Sequence, residues 1–116
     1  MDSEPLTDLA ITDLLREHQI DTSQIDFKPF HGITWQSVAN GLGALFPELA
    51  AVDIAAAIQE RCIQLAQQTP PTLVPGARAA FLRASACLPV AIVTGSDAET
   101  VAFFLARSQL QSACSF

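Results

Sequence analysis

Val90-Ala91-Ile92-Val93-Thr94-Gly95-Ser96-Asp97-Ala98-Glu99 decides how this chain is read. Val90, Ile92 and Val93 favour extended backbone, and a short continuous β-branched run suits a parallel strand covered by helices on both faces. Pro89 opens it. Ser96-x-x-Glu99 then has capping-box spacing, in which the Ser96 hydroxyl accepts from the N–H of residue 99 and the Glu99 carboxylate reaches back to that of residue 96. A helix follows from about Asp97 to Arg107, with Val101, Phe104 and Leu105 on one face. Strand, tight turn and helix start place the Thr94 hydroxyl and free backbone N–H groups beside a positive dipole end, where an anion such as phosphate binds readily. The plainer alternative is that Thr94 ends a strand and Ser96 caps a helix. The fold class expected is α/β, mostly helical, with one clear parallel strand. A lone strand has no neighbour to satisfy its backbone groups, so the sequence looks incomplete on physical grounds.

The totals are those of a folded domain. Half of the 116 residues are hydrophobic and only 16% are charged, which excludes a disordered acidic tail despite a net charge of -6. Six basic residues against twelve acidic ones, with no basic cluster and no Tyr, exclude nucleic acid as an expected partner. No apolar run approaches ~18 residues, and Met1-Asp2-Ser3-Glu4-Pro5 has neither a basic nor a hydrophobic leader region. No membrane span is expected, and the chain is placed in the cytoplasm. Cys62, Cys87 and Cys114 are odd in number and widely spaced, so they form neither a disulfide framework nor a zinc motif. His18 and His31 lack close carboxylate or cysteine companions in sequence, and no metal ligands are assigned.

Taken in order, Leu6, Leu9, Ala10 and Leu14 have a helical period, in a helix entered at Pro5 and ending near His18. Residues 19–30 form a polar connection closing at Lys28-Pro29-Phe30. His31-Gly32-Ile33-Thr34 turns into a short helix with Thr34 as its cap and Trp35, Val38 and Leu42 on its buried side. Pro47-Glu48 opens a further turn of helix. A stronger helix from about Val52 to Gln67 carries the stripe Ile54, Ala57, Ile58, Cys62 and Leu65. Thr69-Pro70-Pro71-Thr72 is the clearest break, because adjacent prolines end a helix and stiffen the connection. Beyond it an extended piece, Leu73-Val74-Pro75-Gly76, leads to an Ala-rich helix over 77–86 with Phe81 and Leu82 inward. Residues 108–116 have no clear period.

The order of helical unit, Pro-rich joint, Leu73-Val74-Pro75-Gly76, helix and Val90-Ala91-Ile92-Val93-Thr94-Gly95-Ser96 resembles the haloacid dehalogenase-like superfamily, in its branch of small phosphatases and β-phosphoglucomutase-like enzymes with a helical cap. Asp2-Ser3-Glu4-Pro5-Leu6 is similar to the stretch that follows the family's first motif, Asp-x-Asp-Gly-Thr-Leu. The resemblance implies a four-helix-type cap with its entry linker over residues 1–70 and a partial, Rossmann-like core over 71–116. It implies a small phosphorylated metabolite as partner, with Thr94 and the Gly95 and Ser96 amides holding phosphate, and Gly32, Thr34 and Trp35 meeting the substrate from the cap. Of these, Trp35 is read as a core residue ahead of a substrate contact.

What the resemblance requires and the chain lacks bears directly on activity. The family's nucleophile and its general acid/base are the two aspartates of the first motif, and this sequence contains no Asp-x-Asp. A lysine that steadies the phosphoaspartate and the acidic pair that holds Mg²⁺ would follow Phe116, and the one lysine here, Lys28, falls in the cap region. Mg²⁺ is the cofactor of the intact family and is not expected to be held by this chain alone. Without these groups there is no covalent route for phosphoryl transfer, so no catalytic residue is assigned. Met1 reads as an internal methionine or the start of a truncated gene, and Gln111-Ser112-Ala113-Cys114-Ser115-Phe116 as a frameshifted tail. The competing expectation is a non-catalytic helical protein that binds or self-associates through core surface left bare.

Overall fold

A computed structural model of the protein describes residues 3–115, so Met1, Asp2 and Phe116, with the readings placed on them, lie outside the described residues. These residues form five α-helices, three short 3₁₀ turns and no strand. The expected α/β class is therefore corrected: the fold is helical, with no parallel strand and no sheet among the described residues. The residues of the strand expected from Pro89 form neither helix nor ladder. The reason is the one raised by a lone strand. β-Branched residues favour extended backbone, but a strand exists only with a neighbour, and among the described residues Val90 alone of this run finds lateral partners. Ser115 donates its N–H to the Val90 carbonyl at 2.7 Å, and Val90 donates its own to Ser115 Oγ at 3.2 Å.

The chain divides at the Pro70-Pro71 joint into two compact units. In the first, α1 (Glu4–Glu17), α2 (Trp35–Leu45) and α3 (Ile54–Gln68) enclose the core, with α3 packed on both α1 and α2. The 3₁₀ turns Lys28–Phe30 and Pro47–Leu49 close it by burying Phe30 and Leu49. α1 contributes Ala10, Ile11, Leu14 and Leu15, α2 contributes Val38 and Leu42, and α3 contributes Ile54 and Ile58. Adjacent pairs at 10/11 and 14/15 make the buried stripe of α1 broader than the expected 6, 9, 10, 14, and Leu9 is 50% exposed. Asp53 caps α3, its Oδ1 accepting the Ala56 N–H at 3.2 Å, so the helix starts two residues later than its apolar pattern suggested.

Two further links tie α3 to α1. Arg61 forms an ion pair with Glu17 at the exposed C-terminal end of α1. Half-buried Cys62 directs its thiol at the Leu6 carbonyl, 3.9 Å away, and burial pushes the thiol pKa up to about 11.

The second unit holds α4 (Ala77–Ser85) and α5 (Ala98–Ser108), each packed on the 3₁₀ turn Gln111–Ala113. Among the described hydrophobic residues here, Leu110 alone is buried, while Phe81 and Leu82 are half-buried. Val74, Leu88 and Val93 are exposed, Val93 at 97%. No helix among the described residues is long and apolar enough to cross a membrane.

Candidate functional site

The segment from Thr94 to Asp97 keeps the loop-to-helix character expected of it, with a different residue at the cap. Asp97, not Ser96, caps α5: its Oδ1 accepts the Thr100 N–H and its Oδ2 the Thr100 hydroxyl, both at 2.8 Å. These bonds to Thr100, chiefly the backbone one, hold the Asp97 carboxyl below the usual range. A charged carboxylate with two donors, set at the positive end of the helix dipole, outcompetes a neutral hydroxyl one residue earlier. Because folding lowers this pKa, its contribution is present above the unfolded carboxylate range and is lost as pH falls through the folded value.

Released from capping, Ser96 turns its N–H to the Thr94 hydroxyl oxygen at 3.1 Å. Thr94 Oγ1 is thus an acceptor in that bond and keeps its own proton for donation. Neither that proton nor the Gly95 N–H has a protein acceptor among the described residues, and residues 94–96 are exposed. Two donors are left for an anion, opposed by the nearby Asp97 carboxylate.

The second group of expected site residues lies in the first unit. Thr34 caps α2 as expected, its Oγ1 accepting the Ser37 N–H at 3.2 Å and meeting Ser37 Oγ at 2.9 Å. Gly32 has a φ of +68° with no atom within 4 Å of where a Cβ would stand, so the turn is open and left-handed at that point. Trp35 is half-buried and packs against the core cluster. Gly32, Thr34 and Trp35 are therefore held together by one turn, and Thr94, Gly95 and Ser96 belong to the other unit.

Sequence spacing conceals one cluster altogether. His31 stands between two acids of α1, with Nδ1 2.5 Å from Glu4 Oε2 and Nε2 2.7 Å from Asp8 Oδ1. Only the presence of two acids one turn apart on α1 hinted at it. The donor set does not fit Mg²⁺, because the two carboxylates are engaged on opposite ring nitrogens instead of converging on one point. No other grouping of three His, Cys, Asp or Glu side chains suits a metal among the described residues. A shallow hollow between α2 and the start of α3, lined by Gln36, Asn40 and Asp53, has its polar groups already paired: Gln36 donates to Asn40, and Asp53 caps its helix.

Comparison with models of known families, with curated proteins and with solved structures finds no match to this chain.

Proposed function

We propose that the chain is a substrate-recognition portion of a haloacid dehalogenase-like phosphoryl-transfer protein, which binds a small phosphorylated metabolite and does not itself transfer the phosphoryl group. The observation that carries this reading is the arrangement at Thr94. Its hydroxyl oxygen is fixed by the Ser96 amide, so that its proton and the Gly95 N–H remain for a phosphate oxygen. The exposed turn at Gly32, between the anchored His31 and the capping Thr34, supports the accompanying role of the first unit in specificity. The setting proposed is the cytoplasm. Catalysis is not part of the proposal, because no Asp-x-Asp supplies a nucleophile.

With two neutral donors and an opposing carboxylate, affinity for inorganic phosphate is expected to be weak, on the order of 1 mM. Addition of phosphate, and separately of orthovanadate, to ¹⁵N-labelled protein should shift the amides of residues 94–96. Thr94→Val should lose those shifts while keeping the rest of the spectrum. With Mg²⁺ present, the chain should not hydrolyse p-nitrophenyl phosphate.

The second reading, a self-associating helical protein, is favoured by the exposure of Leu88 (67%) and Val93 either side of a run with no strand neighbour. Light scattering separates the two. Concentration-dependent mass that Val93→Lys abolishes, together with silent amides at 94–96, would establish association and end the phosphate reading.

A further inference from the structure

We infer that His31 is a pH-operated clamp that holds the turn leading into α2 against α1. Glu4 and Asp8 lie one helical turn apart, so their side chains project from the same side of α1 and reach the two nitrogens of one imidazole. A neutral ring carries one proton and donates to one carboxylate, leaving the other opposite a lone pair. Only the imidazolium donates to both. The ring is 26% exposed, while Glu4 and Asp8 are 46% and 35% exposed, so solvent screens both pairs in part.

The surrounding charges reinforce the assignment. Among the described residues, Glu4 and Asp8 on α1 meet the ring, Trp35–Leu45 contains no charged residue, and Lys28 lies on the 3₁₀ turn three positions earlier. Phe30, the residue before His31, is buried in the core, whereas Gly32, Ile33 and Thr34 after it are exposed. His31 is thus the last anchored side chain before the open turn. Its release frees Gly32-Ile33-Thr34 without dismantling the core.

The direction of the pH effect follows. Because only the imidazolium can donate to both carboxylates, the clamp favours the charged ring. The stabilisation is complete below the ordinary histidine range, roughly pH 6.5, and is lost as pH rises through the folded value. The clamp is closed in mildly acidic solution and opens towards alkaline pH. It does not depend on what the turn recognises.

Two measurements on the full chain test this. The His31 ring nitrogens, followed by NMR, should titrate at higher pH in the wild type than in the Glu4→Gln, Asp8→Asn variant, and the Gly32 to Thr34 amides should broaden over the same interval in the wild type alone. Between pH 6 and pH 9 the thermal midpoint should fall further in the wild type than in His31→Gln, by about 4 °C or more. If His31→Gln does not fold, the carboxylate variant, which leaves the ring in place, decides the matter. Equal His31 titration midpoints in wild type and carboxylate variant, or parallel pH-stability curves for wild type and His31→Gln, would overturn the clamp. Neither result bears on phosphate binding at Thr94.

Discussion

Truncating Ile11 to Ala is expected to destabilise the first unit by about 2–5 kcal/mol, and truncating Leu9 by no more than roughly 0.5 kcal/mol. Ile11 is fully buried and belongs to the cluster shared by α1, α2 and α3, so its loss leaves a cavity that the three helices cannot all collapse into. Leu9, though equally apolar, is half exposed. A unit of about seventy residues has a total stability of roughly 3–10 kcal/mol, so the Ile11 substitution removes a large share of it. Urea denaturation followed by helical circular dichroism measures both. Equal losses at the two positions would mean that α1 presents the face suggested by Leu6, Leu9, Ala10 and Leu14.

The second large effect concerns Phe30 and Gly41, and its signature is a change of sign. Phe30→Ala is expected to cost about 3–5 kcal/mol, since the ring is buried in the core. A Cβ on Gly41 would stand 2.9 Å from Phe30 Cε1, closer than the two atoms can sit. Gly41→Ala gains ~1 kcal/mol in helix propensity, but moving a buried ring costs about 1–3 kcal/mol, so the net effect in the wild type is destabilising. Once Phe30 is Ala the clash is gone, and the same Gly41→Ala should stabilise by ~1 kcal/mol. Gly43→Ala supplies the reference: its Cβ would meet Ile54 Cδ1 at an ordinary 3.7 Å, so it should stabilise in both backgrounds. A Gly41→Ala effect of one sign throughout would show that the ring does not occupy this space.

These two cases also mark how far the sequence can be read. The helices of the first unit are legible because a 3.6-residue apolar period leaves little choice of structure, and Thr34 is recognisable as a cap from its position before Trp35. The facing of α1 is less so, because Leu6 and Leu9 satisfy the same period one step away from Ile11 and Leu15. At the second helix start, Ser96-x-x-Glu99 and Asp97-x-x-Thr100 offer overlapping caps, and the competition is decided by charge and by two bonds from one residue. The strand expectation failed differently. β-Branched residues prefer extended backbone, but a sheet is a property of at least two segments, and among the described residues Val90 bonds only to Ser115. The His31 cluster joins positions 4, 8 and 31, a separation no periodicity reports. As for the expected site, each half is locally legible as a turn entering a helix, while the division between units follows from packing on either side of Pro70-Pro71.

The Cys62 thiol gives the first unit a chemical clock. With its pKa near 11, only about one thiol in a thousand is ionised at pH 8 while α1 stays on α3, and alkylating reagents act on the thiolate. Cys87, exposed in the second unit, faces no such barrier of burial. Modification at Cys87 therefore registers the presence of the reagent, and reaction at Cys62 faster than its one-in-a-thousand ionised fraction allows registers departure of the first helix from the third. One chain thus carries both the probe of its opening and the internal standard against which that opening is timed.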